Sequence, residues 1–168
     1  IGYPGSTSRY LSSYGIKEMR DAENAPRAQV RGVKQDVMIR HMRADEAVRI
    51  KYDSKYAQSS NYWKNSIGMN KCIDSIGIVN QKRAYEARIK AYQDSTGYLK
   101  GKLDFDKMKE LYELRFEDVK AMMYWSETFR RTNEFCTRAM ALDRMEVMGP
   151  KNKKSKQYIE FADNSEEW

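Results

Sequence analysis

Proline is nearly absent from this sequence, and its placement constrains the fold more than any other feature. The three prolines stand at positions 4, 26 and 150, so none interrupts residues 27–149. A proline inside a helix removes a backbone hydrogen bond and clashes with the preceding turn, so a long proline-free stretch leaves room for long helices. Hydrophobic residues make up 40% and charged residues 33% of the 168 residues, which is typical of a soluble domain with a core. We therefore expect an all-α fold.

Apolar residues recur at steps of three or four through the first half of the chain, as on one face of a helix. A first helix is predicted to begin near Pro26 with Asn24 as its cap, and Asp45 to cap a second helix that ends near Gly77. The face expected to be buried on the first helix and its continuation consists of Val30, Val33, Val37, His41, Ala44 and Val48. On the second helix it consists of Tyr52, Tyr56, Ser59, Trp63 and Ile67.

Two more helices are predicted in the second half. The third is lined by Ala84, Ala87, Ala91 and Tyr92 and is followed by a turn at Gly97 and Gly101. Asp104 caps the last helix, which is expected to run from Phe105 to about Val147 and to stop at Gly149–Pro150. Its apolar stripe is wide, which favours burial on more than one side; the stripe comprises Met108, Leu111, Tyr112, Val119, Met122, Trp125, Phe129, Cys136 and Met140.

The sum of these segments predicts an antiparallel helical bundle with irregular ends. Residues 1–25 contain turn signals and are expected to form a short extended segment without helix. Residues 26–149 form the predicted helical domain, and residues 150–168 a loop or tail. The chain opens without an initiator Met, so we expect it to be a piece of a longer protein.

The chemistry of the side chains excludes several classes of enzyme site. We find no nucleophile elbow, phosphate-binding glycine loop or zinc-protease motif, and no cofactor motif is recognised. The lone histidine, His41, lies among valines and is predicted to be a structural core or interface residue. Cys72 and Cys136 lack metal-ligand spacing, so no metal site is expected. A disulfide between them is kept as an alternative, although a buried free thiol at each position is favoured.

The formal net charge is +7, which raises the alternative of a basic nucleic-acid-binding helical domain. Acidic and basic residues are interspersed along most of the chain, however, and the one strong basic cluster is "KNKKSK" at Lys151–Lys156. A charged helical surface without nucleic-acid binding is the favoured interpretation. The second alternative is a non-enzymatic helical module that binds a protein partner through its ten Met and twelve Tyr residues. No apolar run has the length of a membrane span, and no signal-peptide pattern is visible at the start.

The stretch "SSNYWKNSIGMNK", from Ser59 to Lys71, places amides on a separate side of the second helix. At about 100° per residue, Asn61 lies well away from the Trp63 face. It joins a stripe of small and polar residues that we call the amide stripe, formed by Ala57, Asn61, Asn65, Gly68 and Cys72. Lys64 lies beside it. Small residues allow another chain to approach, and an amide can accept from an ammonium or donate to a carbonyl.

Three stretches of the sequence resemble the dipeptidyl-peptidase 7 and dipeptidyl-peptidase 11 family of bacterial serine peptidases. They are "GYPGSTSRY" (Gly2–Tyr10), "RGVKQ" (Arg31–Gln35) and "SSNYWKNSIGMNK" (Ser59–Lys71). The resemblance implies a parent enzyme with a chymotrypsin-like double β-barrel and a Ser-His-Asp triad, which releases dipeptides from peptide N-termini. A helical domain inserted in that chain caps the cleft, with residues 1–25 leaving the barrel and 150–168 leading back toward it.

The triad motifs themselves are missing here, so the chain alone is expected to be inactive. The resemblance further implies a homodimeric parent in the periplasm or on the surface of a Gram-negative bacterium. It assigns Asn61 to binding of the substrate's α-amino group, with Asn65 as the second choice.

Overall fold

The computed structural model describes residues 11–99, 101–130 and 135–143, and these are almost entirely helical. Helix α1 spans Ser13–Glu18 and passes through a π-helical segment, Met19–Asn24, directly into α2, Ala25–Ala44. Helix α3 spans Glu46–Ile76, α4 spans Ile78–Thr96 and α5 spans Phe105–Trp125. A second π-helical segment, Ser126–Arg130, follows α5, and residues 135–143 are again helical. The predicted all-α fold is confirmed.

Capping side chains set the helix boundaries. The Asp45 carboxylate accepts from the backbone N–H groups of Ala47 at 2.8 Å and Val48 at 3.3 Å, and thereby begins α3. The Asp104 carboxylate accepts from the N–H of Lys107 at 2.9 Å and begins α5 in the same way. At the end of α3, Gly77 has a φ of 61°, a left-handed conformation that a residue with a side chain adopts only at a cost. The boundaries predicted at Asp45, Gly77 and Asp104 are confirmed.

The N-terminal prediction was wrong over residues 13–25, which are helical; residues 1–10 lie outside the described residues. The Ser12 hydroxyl accepts from the Gly15 N–H at 3.1 Å and starts the helix 13 residues before the predicted start at Pro26. Asn24 is not a cap, because its backbone is helical and α1 continues through it into α2. The sequence signals for a turn were outweighed by this local cap and by the contacts of the π-helical segment with α3.

Helices α2 and α3 form an antiparallel hairpin, and the contact between them is polar. Three pairs of side chains meet in opposite chain order, namely Asn24 with Asn70, Arg27 with Ser66 and Arg31 with Ser59, at 2.9, 3.5 and 3.4 Å. We call these six residues the polar seam. The predicted α3 face is confirmed, since Ser59 is buried and Tyr52, Tyr56, Trp63 and Ile67 are half-buried.

The predicted apolar stripe on α2 and its continuation was wrong at four of its six positions, and Val30 and Val48 are half-buried. Val33 is 64% exposed, and Val37, His41 and Ala44 are exposed as well. The buried residues of α2 are instead Pro26, Arg31, Gln35 and Met42. Their side of the helix faces α3, whose small serines leave room for the long polar side chains of α2. His41 is therefore not a core histidine within the described part of the chain.

Helix α4 contacts the rest of the fold through a carboxylate. Glu86 is buried, and its two oxygens accept from the backbone N–H of Ser13 at 2.7 Å and from the Ser13 hydroxyl at 2.6 Å. The alanine face predicted for this helix was wrong, because Ala84, Ala87, Ala91 and Tyr92 are all exposed. The covered side of α4 is thus the side on which Glu86 binds the first turn of α1.

Helix α5 has no buried residue. Its covered side is a single half-buried row, and Leu111, Met122 and Trp125 of the predicted stripe are exposed. The ring of Tyr112 stacks on Tyr14 with centroids 6.3 Å apart. Burial on more than one side was therefore a wrong prediction for this helix. The expected helix end near Val147 lies outside the described residues.

The chain divides into two compact units, Ile1–Tyr124 and Trp125–Trp168. Both cysteines are free thiols; Cys72 is exposed and Cys136 is half-buried, so the prediction of buried thiols was wrong at Cys72. Among the described residues, no helix combines the length and the apolarity needed to cross a bilayer. The domain limits predicted at residues 26 and 149 stay a prediction.

Candidate functional site

The amide stripe lies on the solvent side of α3. All five of its residues, Ala57, Asn61, Asn65, Gly68 and Cys72, are exposed, as is Lys64 beside them. Neither Asn61 nor Asn65 forms a side-chain hydrogen bond with another residue of the described ranges. A Cβ built on Gly68 would meet no atom within 4 Å, so the surface around the stripe is open. The stripe thus offers amide donors and acceptors to a molecule that approaches from outside, and the ligand assigned to Asn61 and Asn65 stays a prediction.

The opposite side of the same α3 segment is held by α2. The Arg31 guanidinium donates to the Ser59 hydroxyl at 3.4 Å and lies 4.8 Å from the centre of the Tyr62 ring. At Gly32 an added Cβ would stand 3.4 Å from Nε1 of Trp63, which means that the indole packs directly against the backbone of α2. The stretches "RGVKQ" and "SSNYWK" are therefore contact partners in the fold. Their helical spacing did not reveal this contact, because it does not say which helices are neighbours.

The other end of the polar seam fixes α3 against the π-helical segment. Asn70 donates to the backbone carbonyl of Arg20 at 2.9 Å and accepts from the Asn24 amide at 2.9 Å. Arg20 in turn donates to Asp21 at 2.7 Å and Asp74 at 2.8 Å. Hydrogen bonds to these two carboxylates, with their negative charge, hold the pKa of the Arg20 guanidinium above its usual value. This end of α3 is thus held in place by an ion pair as well as by hydrogen bonds of side-chain amides.

The amide stripe lines neither of two clefts in the first unit. One, of about 280 Å³, lies at the turn between α4 and α5 around Gln93, Gly97 and Leu103. The other, of about 240 Å³, lies between α1 and α5 and is walled by Tyr14, Tyr112 and Phe116. Within the described residues no group of three or more His, Cys, Asp or Glu side chains could hold a metal ion. The amide stripe therefore lies on an open surface outside these clefts.

Comparison with known proteins identifies the family. The model of the Peptidase S46 family matches residues 1–167. The chain belongs to this family. The resemblance that the three sequence stretches indicated is thereby confirmed.

Two curated relatives show what share of a longer family member this chain matches. Dipeptidyl-peptidase 7 of Porphyromonas endodontalis is 56% identical over 92 residues, which are 55% of this chain and 11% of the relative. Dipeptidyl-peptidase 7 of Phocaeicola vulgatus is 40% identical over 149 residues, which are 86% of this chain and 20% of the relative. The chain therefore spans about a tenth to a fifth of the length of these two relatives.

A solved structure has the same fold over nearly the whole chain. It is the crystal structure of Porphyromonas endodontalis DPP11 in complex with the dipeptide Arg-Glu. The match has a TM-score of 0.75 and 24% sequence identity, and it covers 95% of this chain and 23% of that one. The helical arrangement described above is thus one that occurs as part of a much longer peptidase chain.

Proposed function

We propose that this chain is the helical cap of an S46 dipeptidyl-peptidase, and that α3 binds the α-amino group of the peptide substrate. In this proposal the cap covers the active-site cleft of a catalytic β-barrel domain in the same polypeptide. That domain supplies the Ser-His-Asp triad, and the enzyme releases dipeptides from peptide N-termini. The parent enzyme is a homodimer of the periplasm or cell surface.

The observation that carries the proposal is the exposed pair of amides on α3. Asn61 and Asn65 are four residues apart, so they lie on one face of the helix, and both are exposed. Asn61 also lies within the "SNYWK" stretch that resembles the family motif. A substrate ammonium has three N–H donors and no acceptor, and the amide oxygen of an asparagine can accept one of them.

An open helix face cannot by itself enclose a ligand, which fits a role in a site completed by a second surface. Once that surface closes over the stripe, water is displaced and the hydrogen bond to the ammonium strengthens in the lower dielectric. The same closure limits how far a peptide can extend beyond its amino end. Release of short N-terminal fragments follows from such a closed end.

The test is Asn61→Ala in the full-length protein, with dipeptidyl fluorogenic substrates that carry a free α-amine. A hydrogen bond to a charged group contributes roughly 1.5–3 kcal/mol, so kcat/KM should fall about ten- to a hundred-fold. Asn65→Ala should have a smaller effect. Asn80→Ala is the matched control, because Asn80 is an exposed helical asparagine on α4.

A fluorophosphonate that lacks an amine reports separately on the catalytic serine. Its reaction rate should be unchanged in all three variants, since none of them alters the nucleophile. An Asn61→Ala enzyme with wild-type kcat/KM for the free-amine substrates would rule out the proposed role of α3.

A further inference from the structure

We propose that Arg31 is a positioning residue, which fixes the turn of α3 that presents Asn61. This inference rests on the proposed function, and it assigns a role to the "RGVKQ" stretch on α2. Arg31 is only 6% exposed, so it lies behind α3 and cannot itself reach a ligand on the amide stripe. Its contacts with Ser59 and Tyr62 give it a route to the amide stripe through α3.

The contacts of Arg31 bracket Asn61 along the chain. Its guanidinium contacts Ser59, two residues before Asn61, and Tyr62, the residue directly after it, at the distances given above. A guanidinium is planar, and its N–H groups point in fixed directions. Contacts to two side chains of one turn therefore restrict both the rotation of α3 about its axis and its shift along α2.

Small movements of α3 matter because Asn61 lies at the outside of the helix. An atom roughly 6 Å from the helix axis moves by about 1 Å when the helix rotates by about 10°. A displacement of about 1 Å at a reacting or binding group can lower the rate by as much as a hundred-fold. Gly32 adds to the restraint, since the absence of a side chain there lets Trp63 pack against α2.

The presence of a buried guanidinium at position 31 supports a role in orienting α3. Burying a guanidinium has a desolvation cost, and an apolar side chain of similar length would avoid it. Methionine at position 31 would fill much of the same space without that cost. The guanidinium makes directed contacts with Ser59 and Tyr62, which lie two residues before and one residue after the amide proposed to bind the substrate.

The experiment is a double-mutant cycle between Arg31 and Asn61 in the full-length protein, with kcat/KM measured on a free-amine dipeptidyl substrate. Arg31→Met should lower kcat/KM by roughly five- to thirty-fold, because Asn61 is no longer held in place. In the Asn61→Ala background the same substitution should cost less than about two-fold, since there is no amide left to position. Arg31→Lys should restore only part of the loss, because an ammonium lacks the planar fork.

Arg27→Met is the matched control. Arg27 belongs to the same polar seam one turn earlier, but it contacts Ser66 and Asn24, which do not flank Asn61. The Arg27→Met substitution should change stability, but its effect on kcat/KM should be the same with Asn61 and in the Asn61→Ala background. If Arg31→Met fails to fold, Tyr62→Leu removes the ring beneath the guanidinium and should show the same coupling, whereas Tyr62→Phe should not.

The outcomes separate this inference from the proposed function. A loss in Asn61→Ala together with an additive or absent effect of Arg31→Met, and of Tyr62→Leu where it is needed, would overturn the positioning role alone. An Asn61→Ala enzyme with unchanged kcat/KM would overturn the proposed function, and this inference with it.

Discussion

The polar seam and helix α5 differ in which kinds of side chain are covered. In the seam, arginine, asparagine and serine side chains are covered, whereas Val33 and Val37 of α2 are exposed. On α5, Leu111, Leu114 and Met122 are exposed, and no residue is buried. The helix with the more typical apolar stripe is thus the one that packs less in this chain.

The difference shows what joins the helices in each region. Helices α2 and α3 are held in register by directional hydrogen bonds, which tolerate neither rotation nor sliding without leaving a buried polar group unpaired. Helix α5 is attached at separate points along its length. One is Tyr112, which stacks on Tyr14, and another is Arg115, which pairs with the buried carboxylate of Glu18. We expect substitutions in the seam to be costly and substitutions along α5 to be costly only at such points.

The largest effect is expected from Asn70→Ala. The substitution removes the acceptor of the buried Asn24 side-chain N–H and the side-chain donor to the Arg20 carbonyl, which still accepts from the Ala25 N–H. We expect the unfolding free energy of the α2–α3 hairpin to fall by roughly 1–3 kcal/mol. Native-state hydrogen exchange of the α3 amides measures this loss. Asn65→Ala on the same helix is the control and should change it by less than about 0.5 kcal/mol. Equal losses in the two variants would show that the seam contributes no more than an exposed asparagine.

An intermediate effect is expected from Arg115→Met. Glu18 is buried, so removal of the guanidinium leaves a covered carboxylate without this partner, at a cost of about 1–2 kcal/mol because Arg115 itself is half exposed. The hydrogen bonds and negative charge of Glu18 also raise the pKa of the Arg115 guanidinium above its usual value. The loss should appear in the exchange rates of α1 and α5. Arg88→Met, an exposed arginine on α4, should leave those rates unchanged; a similar change there would mean that the Glu18 pair is not what joins α1 and α5.

The smallest effect is expected from Leu114→Gln. Leu114 is 77% exposed, so little apolar surface is lost and stability should change by less than about 0.5 kcal/mol. The same substitution at buried Met42 should cost about 2 kcal/mol, since a polar amide would enter a covered site. Thermal unfolding of the two variants tests this contrast. A large loss at Leu114 would mean that the side chain is covered in solution.

The amino-acid sequence by itself determined the class of fold, several helix boundaries and the family. Asp45, Gly77 and Asp104 were correctly predicted as boundaries because capping depends on atoms within a few residues of one another. The family was indicated by short stretches whose order along the chain is distinctive. The separate, outward side of α3 that carries Asn61 and Asn65 also followed from spacing alone, because 100° per residue fixes which residues share a face.

Only the tertiary structure decided which face of each helix is covered. Periodicity groups residues into faces, but the burial of a face depends on the neighbour it meets. On α2 the valine face was predicted to be buried, yet Arg31 and Gln35 are among the covered residues, and Arg31 contacts the small Ser59 of α3. In the same way Glu86 is buried on α4, since its partner Ser13 lies 73 residues away along the chain and comes into contact only on folding.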